Sequence, residues 1–412
     1  MPGGPSGGHN AAVTAAKDAV RRSRRDWLRG LPTEVAALAG VAFLVALGFG
    51  VVAPAIPLFA RQFGVSTAAA SAVVSAFALT RLMMAPFAGR LVNKLGERVV
   101  LASGIGIVSV SSVLAGLAHS YGQLLVLRGV GGAGSAMFTV SAASLLIRVT
   151  VPNQRGRAQG MFAGGFLLGS IAGPALGFVA LWSLRAPFFL YAGTLIGAGA
   201  LGLWALRHST LAARGTTRGE PPPLRTALAN PAYRAALACA AVEQWSVLGV
   251  RLALVPLFVA EVLHRGTGLT YVGFFLLSVV SGALLLPLGR VADTRGRRPV
   301  ILLGLLMGSA GLALLPVSGS WLMLGCMAVL GVAAAALSVA PAAVVGDVVA
   351  SRGGTVVATF QMAGDSGVVI GPLVAGWLAD AHGFTASFVV AAVLTALPAI
   401  LVVRAPETLV RE

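Results

Sequence analysis

The feature that most constrains the fold is a succession of twelve apolar stretches along the chain. Each is about as long as the ~20 residues that a helix needs to cross the hydrocarbon of a bilayer. None alternates apolar and polar residues as the strands of a membrane barrel do. We therefore predict an all-α membrane protein with twelve transmembrane helices. The stretches cover residues 35–60, 68–88, 99–118, 122–147, 157–181, 186–206, 232–260, 268–288, 299–317, 320–347, 355–379 and 384–403.

The composition excludes a soluble domain. The 412 residues are 57% apolar and 10% charged, against about 25% charged residues in soluble domains. The net charge of +17 does not indicate nucleic-acid binding, because the basic residues stand in short segments beside the apolar stretches. Cys239 and Cys326 lie inside apolar stretches and are interpreted as packing residues.

The basic residues also predict the orientation in the membrane. With both termini inside, 24 of the 30 Lys and Arg residues fall in tails and inner loops, which is a strong positive-inside bias. Residues 1–34 are then a cytoplasmic N-terminal tail without the pattern of a signal peptide, and residues 404–412 a cytoplasmic C-terminal tail. The Ala- and Arg-rich composition hints at a bacterium with a GC-rich genome, hence at a multi-pass protein of the inner (cell) membrane.

A basic motif occurs twice, 200 positions apart, and shows that the chain consists of two repeats. We predict two pseudo-symmetric six-helix bundles, residues 35–206 and 232–403, joined by a polar, Pro-rich cytoplasmic linker, residues 207–231. Within that linker, residues 224–229 could form a short helix on the inner surface. Both motif copies are interpreted as short loops between helices, with two merely basic turns as the alternative. Their marked residues are Gly89, Arg90, Asn93, Gly96 and Arg98, and Gly289, Arg290, Asp293, Gly296, Arg297 and Arg298.

With these motifs, residues 35–403 resemble the major facilitator superfamily of secondary transporters. The repeated segment is similar to that family's signature between its second and third helices. The resemblance implies an inner-face clasp in which the acid and the arginines bind neighbouring helix ends and stabilise one of two alternating states. The first copy has Asn93 where the family usually has Asp, which weakens an ionic latch in the first half.

The fourth predicted helix carries a second similarity. Leu124 and Arg128 precede the cluster Gly131-Gly132-Ala133-Gly134, which resembles the family pattern of an arginine one turn before glycines. The resemblance implies that Arg128 takes part in proton coupling. A structural arginine bonded to backbone carbonyls is the alternative.

The fifth helix resembles the glycine-proline motif of antiporters in this superfamily. Helix 11 carries an echo in Gly371-Pro372. Phe178 stands where a second glycine is usual. The resemblance implies antiport, whereas ordinary tight packing of small residues would explain the glycines as well. The motif residues are Gly160, Gly169, Gly173, Pro174 and Gly177.

Embedded polar residues are the candidates for the site. Pro54 and Pro57 interrupt helix 1, as Pro256 interrupts helix 7, and such breaks indicate the substrate pathway. The resemblance adds that helices 1, 4, 7 and 10 line the cavity. Gln244 shares a helical face with Leu248 and Arg251, and Gln361 shares one with Asp365. The embedded charges are Arg81, Arg128, Glu243, Arg251 and Asp365.

From these charges we hypothesise that Asp365 or Glu243 carries the proton and that a nearby arginine modulates it, since burial disfavours a charged carboxyl. A permanent ion pair with Arg81, Arg128 or Arg251 is the alternative for each acid. Helix 1 has no acid, and two embedded acids face three arginines. This balance favours neutral, zwitterionic, anionic or amphipathic cargo.

Other functions find little support. The chain has no GxxxxGK[ST] motif, no catalytic constellation and no metal-ligand spacing among its histidines, so we expect no enzyme, cofactor or metal. The prediction is a monomeric secondary transporter that exports a small drug-like molecule or metabolite in exchange for protons by alternating access. An importer or uniporter of a sugar or organic anion, or a membrane receptor or assembly partner without flux, are the alternatives. The partners expected are the small-molecule substrate, protons and the lipid bilayer, with no nucleic acid.

Overall fold

The computed structural model describes residues 32–150, 154–205, 224–317, 319–348 and 354–408. This part of the chain is almost entirely helical and contains no strand. Eleven of its helices are long and apolar enough to cross a membrane. They are α1 (Thr33–Arg61), α2 (Thr67–Leu95), α3 (Glu97–Gly116), α4 (Tyr121–Val149), α5 (Arg155–Leu176, continued by a 3₁₀ turn Gly177–Leu181), α6 (Ala186–Ala205), α7 (Pro231–Glu261), α8 (Thr267–Arg295), α9 (Arg297–Leu314, continued by a 3₁₀ turn Leu315–Val317), α10 (Ser320–Val348) and α11 (Gly354–Ala396, continued by Pro398–Arg404).

The two basic motifs are mostly helical, which corrects their interpretation as loops. The sequence places the ends of α2 and α8 at residues 88 and 288, but the helices continue to Leu95 and Arg295. Polar and basic residues continue a helix readily once it has left the hydrocarbon. The chain reverses only at Gly96 and Gly296, whose φ angles of 85° and 119° favour glycine.

Helices α1 and α7 are interrupted where the sequence carries Gly and Pro. Helix α1 consists of Thr33–Val52 and Ala55–Arg61, separated by the turn at Ala53 and Pro54. Helix α7 contains a π-helical segment, Trp245–Arg251, between two α-helical parts. The sequence predicts the break in α1 but gives no sign of the π-helical turn.

Near the end of the chain, Gly354–Ala396 consists of two helices that meet at Gly383, whose backbone is not helical and has a φ of 82°. This residue lies between the predicted stretches 355–379 and 384–403. The short helix that the sequence suggests in the linker is present as Leu224–Ala229. Linker residues 207–223 and the tails 1–31 and 409–412 lie outside the described residues.

Most helix packing occurs within each half. In the first half, α1 packs along α5 and α6, and α4 packs along α2 and α3; in the second, α7 packs along α11, and α10 packs along α8 and α9. The halves meet through α2 with α11 and through α5 with α8. We call the end with the α1–α2 and α7–α8 connections the outer end and the end with Gly96 and Gly296 the inner end, after the orientation that the charges predict.

Candidate functional site

A cavity of about 370 Å³ lies between the two halves. Its wall is largely apolar and aromatic, with Phe49, Phe77 and Phe166 among its residues. The polar side chains come from α2, α4, α5, α6, α7 and α11. They are Arg81, Arg128, Ser135, Thr139, Ser170, Tyr191, Gln244 and Asp365.

A second chamber of about 230 Å³ adjoins the first. The two share Phe49, Ser170, Leu248 and Leu252, so these side chains stand between neighbouring chambers. Pro54, Pro174, Arg251, Ser278 and Ser281 line the second chamber only. The combined space has the size and the apolar character of a site for a drug-sized molecule.

Arg128 is the most deeply buried charge of the larger chamber, with 4% of the residue exposed. Its guanidinium carbon lies 4.5 Å from the centre of the Phe77 ring, a cation–π contact. Gly132 allows this arrangement, because α4 there contacts the backbone carbonyl of Phe77 so closely that a Cβ would overlap it. The Thr80 hydroxyl also donates to the Gly129 carbonyl over 2.7 Å and fixes α2 against α4.

Arg128 lacks hydrogen-bond partners among the described residues. Its Nε is buried and has no hydrogen-bond partner among the described residues. The sequence alternative of an arginine bonded to backbone carbonyls therefore does not describe Arg128. That arrangement occurs instead at Arg251, which donates from Nε to the Ser246 carbonyl at 3.2 Å and from Nη1 to the Leu330 carbonyl at 3.3 Å.

The π-helical segment of α7 explains the position of Arg251. Hydrogen bonds in a π-helix skip one residue more than in an α-helix, so this turn leaves carbonyl groups available to side chains. The regular-helix geometry expected between Glu243 and Arg251 therefore does not apply. Glu243 lines neither chamber and interacts electrostatically with Arg251, whereas Gln244 lines the larger one.

Asp365 is half-buried and lines the larger chamber. It makes no side-chain hydrogen bond or ion pair with the described residues. Gln361, predicted to share its face, is exposed and lines neither chamber. Gly367, two residues farther along α11, packs against the Ala241 carbonyl of α7, which fixes the helix that carries Asp365.

The two glycine-proline segments make equivalent close contacts. A Cβ built on Gly173 of α5 would lie 2.7 Å from the Cα of Gly50 in α1. In the second half, a Cβ built on Gly249 of α7 would lie 2.7 Å from the Cα of Gly371 in α11. Each contact joins the first helix of a half to its fifth, so the halves repeat the same packing.

The other motif positions differ from one another. Gly169 contacts α1, and Gly177 contacts the ring of Tyr271 in α8, whereas a methyl group on Gly160 would have open space around it to 4 Å. Pro174 lines the second chamber, and Pro57 is buried without lining either.

These features agree with comparisons to known proteins. The sequence model of the Major Facilitator Superfamily matches residues 38–284 and 252–411. The chain belongs to this superfamily. It is thus a multi-pass membrane protein; members of this superfamily are transporters rather than enzymes and act on small-molecule substrates, usually as monomers.

Two bacterial resistance proteins are similar to a part of this chain. It is 32% identical over 170 residues to the quinolone resistance protein NorA of Staphylococcus aureus (strain MRSA252), which is 41% of this chain and 42% of that protein. It is 30% identical over 167 residues to multidrug resistance protein 1 of Bacillus subtilis (strain 168), which is 40% of this chain and 43% of that protein. The chain thus spans less than half the length of the curated relatives it matches.

Solved transporters share the fold over most of the chain. A bacterial homologue of the human lysosomal transporter Spinster, in an inward-facing conformation, superposes with a TM-score of 0.74 at 17% identity over 90% of this chain and 95% of that one. The nucleoside transporter NupG also gives a TM-score of 0.74, at 13% identity over 90% of this chain and 99% of that one.

At the inner end, the two repeated basic segments join helices within each half. Arg297 pairs with Asp293 and, at 3.2 Å, with Asp347 of α10. Arg298 donates from Nη2 to the Val403 carbonyl at 2.5 Å. In the same half Gly289, Arg290 and Gly296 lie at the inner end of α8, where a Cβ on Gly296 would lie 2.6 Å from the Glu407 carboxylate.

The equivalent pair in the first half has its charges exchanged. Arg148 of α4 binds Glu97 of α3 at 2.5 Å, where the second half has Asp347 of α10 and Arg297 of α9. An acid at a helix N-terminus is favourable and a base is not. Glu407 compensates in the second half, because its carboxylate accepts from the backbone N–H groups of Arg297 and Arg298 at 2.8 and 3.0 Å.

The rest of the first motif copy takes no part in that pair. Arg90 and Asn93 are exposed on the last turns of α2, and Arg98 follows Glu97 on α3. A methyl group on Gly89 would meet nothing within 4 Å, so this glycine is not a close-contact position.

At the outer end, polar contacts join the two halves. Arg61 pairs through Nε with Glu261 at 2.7 Å, two residues that stand 200 positions apart. The Asp380 carboxylate of α11 accepts from the backbone N–H groups of Thr67 and Ala68 at the start of α2, both at 2.8 Å.

Two further residues were missed by the sequence analysis. The Tyr271 hydroxyl of α8 donates to the Val51 carbonyl of α1 at 2.9 Å and adds to the contacts between the halves. Tyr191 of α6 lines the larger chamber and interacts electrostatically with Arg128 and Arg81. Among these contacts and those of the outer end, only the Arg61–Glu261 pair has a signal in the sequence, because its two residues stand one repeat length of 200 positions apart.

Proposed function

We propose that this protein is a proton-coupled exporter of small molecules that works by alternating access as a monomer in the inner membrane of a bacterium. The observation that carries the proposal is the carboxyl of Asp365, which stands without an ionic partner among the described residues in the cavity between the halves. Such a group can bind a proton from one side of the membrane and release it to the other.

We further propose twelve membrane helices in two bundles, residues 35–206 and 232–403, with the linker 207–231 and both termini in the cytoplasm. The 43 residues of Gly354–Ala396 would extend over about 65 Å as one straight helix, twice the ~30 Å of hydrocarbon, so a reversal at Gly383 is required. Support for two bundles comes from the paired contacts Gly50–Gly173 and Gly249–Gly371.

The described conformation fits an inward-open state. The polar side-chain contacts between the halves lie at the outer end, at Arg61, Asp380 and Tyr271. Those at the inner end, such as Arg148 with Glu97, join helices of one half. A cavity closed on one side and open on the other is what alternating access requires.

Among the candidate proton carriers, the contacts favour Asp365 over Glu243. Glu243 interacts electrostatically with Arg251 and lies outside the cavity lining, so it is placed less well than Asp365 to meet the cargo. Asp365 lines the same chamber as Arg81 and Arg128, so its carboxyl can meet both a proton and a cationic group of the cargo there.

Export is supported by the relatives and the glycine-proline contacts. The two resistance proteins named above match about 40% of the chain at about 30% identity. In addition, Pro174 of the antiporter-like motif lines the second chamber, so a bend of α5 there would alter the cavity.

The test is proton movement in liposomes that hold the purified protein and an internal pH dye. Wild type is compared with Asp365→Asn, Glu243→Gln and the control Glu34→Gln, whose residue lies outside both chambers. We expect compounds to trigger proton movement in wild type and in the control, and Asp365→Asn to lose it. Saturable uptake of a labelled compound without proton movement would indicate a facilitator and reject exchange. Full activity of both acid variants would reject carboxyl coupling.

A further inference from the structure

The larger chamber presents unpaired charges of both signs on opposite halves of the protein. Arg81 and Arg128 belong to α2 and α4, and Asp365 belongs to α11. None of the three makes a hydrogen bond or an ion pair to a side chain of the described residues. Arg128 is buried, and Arg81 and Asp365 are half-buried. Charges withdrawn from water are normally paired, so this arrangement leaves partners to be supplied by a ligand.

The arginine side of the chamber is suited to an anionic group. Arg128 is 4% exposed, its Nε lacks a partner among the described residues, and its guanidinium lies on the Phe77 ring, which leaves its remaining N–H groups to the cavity. Arg81 lines the same chamber, and Tyr191 interacts electrostatically with both arginines. A carboxylate can accept from a guanidinium through two parallel hydrogen bonds.

Linkage then limits which ligand is compatible with exchange for protons. A ligand with only an anionic group would bind more tightly once Asp365 is protonated, because a nearby negative charge has been removed. Coupling is reciprocal, so ligand and proton would then travel together rather than in exchange. A ligand that also carries an ammonium group competes with the proton for Asp365, which is the negative coupling that exchange needs.

We propose that the cargo is an amphipathic zwitterion. Its anionic group binds Arg81 and Arg128, its cationic group binds Asp365, and its apolar or aromatic body lies against Phe49 and Phe166. This inference rests on the proposed transport function and adds the chemical class of the cargo. The combined chambers of about 370 and 230 Å³ accommodate a drug-sized body.

The test is equilibrium binding to the purified full-length protein in detergent, which needs no transport. Three fluorescent probes share one dansyl body and one alkyl chain. Nε-dansyl-lysine carries a carboxylate and an ammonium group, dansylcadaverine carries only the ammonium group, and 6-(dansylamino)hexanoate carries only the carboxylate. We expect the zwitterion to bind at least about tenfold more tightly than either singly charged probe, which corresponds to about 1.4 kcal/mol.

Variants assign the two ends of the zwitterion. Asp365→Asn should lower zwitterion affinity about tenfold or more and raise the affinity of the carboxylate probe. Arg128→Gln should lower the affinity of the zwitterion and the carboxylate probe and leave dansylcadaverine bound as tightly or more tightly. Glu34→Gln is the control, and size-exclusion chromatography shows that each variant is folded.

The wild-type measurements alone can overturn the proposal, even if a variant misfolds. If dansylcadaverine or 6-(dansylamino)hexanoate binds as tightly as the zwitterion, the proposal is rejected. It is also rejected if none of the three probes binds. Zwitterion preference combined with no proton movement in liposomes would retain the cargo class and reject proton exchange. Proton exchange driven by singly charged compounds alone would retain the function and reject this cargo class.

Discussion

The buried ion pair between α3 and α4 gives a sharp prediction about stability. Glu97 has 2% of its side chain exposed and binds Arg148 at 2.5 Å and the Ser144 hydroxyl at 2.9 Å, whereas the side chain of Arg148 is 21% exposed. Arg148→Met leaves a buried carboxylate with a single hydroxyl donor, and breaking a buried pair in this way costs about 3–5 kcal/mol. Glu97→Gln leaves an arginine that can reach water and an amide that can still accept a bond, which costs about 1–2 kcal/mol. We therefore expect the arginine variant to be the less stable of the two.

Thermal unfolding of the purified protein in one detergent measures this difference. The order of Tm should be wild type, Glu97→Gln, then Arg148→Met, with the lowest value about 5 °C below wild type. The double variant should be more stable than the sum of the single effects predicts, because the buried charge and its partner are then removed together. Asp347→Asn is the matched control in the second half. There the pair spans 3.2 Å, the acid is 28% exposed against 2% for Glu97, and Asp293 also binds Arg297, so the cost should be below about 1 kcal/mol. Equal Tm values for the two single variants, or strict additivity in the double variant, would refute the reasoning.

Two further predictions concern the outer end and the close helix contacts. Asp380→Asn removes the carboxylate charge and one of its two hydrogen bonds to the backbone N–H groups at the start of α2. This change destabilises the closed outer end by about 1–2 kcal/mol, so the equilibrium constant for outward opening should rise about 5- to 30-fold. The measurement is the rate of thiol labelling of Ser71→Cys, whose buried side chain lies at the α2–α11 contact, with and without Asp380→Asn. An unchanged labelling rate would contradict a role of Asp380 in closing the outer end. Gly173→Val should reduce transport and Tm strongly, because its Cβ meets the backbone of Gly50, while Gly160→Val, with open space around it, should be close to neutral. Transport assays and Tm values compare them, and equal losses would show that the close approach is not the cause.

Much of the helical layout follows from the sequence because hydrocarbon thickness imposes a length on each apolar stretch. The predicted boundaries of most helices agree with the structure within about three residues. The disagreement at α2 and α8 has a physical origin: apolarity marks where a helix leaves the hydrocarbon, but the helix ends only where the backbone must turn, at Gly96 and Gly296. The π-helical turn at Trp245–Arg251 left no comparable signal in the sequence.

The candidate site was predictable in part. A charge inside an apolar stretch is costly, so Arg81, Arg128 and Asp365 could be singled out, and all three line the cavity. The sequence could not pair them with residues on other helices. Glu97 was missed for the same reason, because a charge beside an apolar stretch resembles any inner-loop residue until its partner 51 positions away is known.

The distribution of polar contacts suggests how binding could drive the conformational change. The interactions that close the outer end are modest in energy: Arg61 and Glu261 are each about one-third exposed, which limits their pair to less than about 1 kcal/mol. With Asp380 and Tyr271 added, the closed outer end gains only a few kcal/mol, comparable to the differences between states that ligands can reverse. A zwitterion bound as proposed contacts Arg128 in the first half and Asp365 in the second. Its two charges would draw the halves together around the cavity and offset the free energy of breaking the ion pair and hydrogen bonds at the outer end. A singly charged ligand engages one half only and lacks this effect, so the charge pattern of the cargo bears on the rate of transport as well as on affinity.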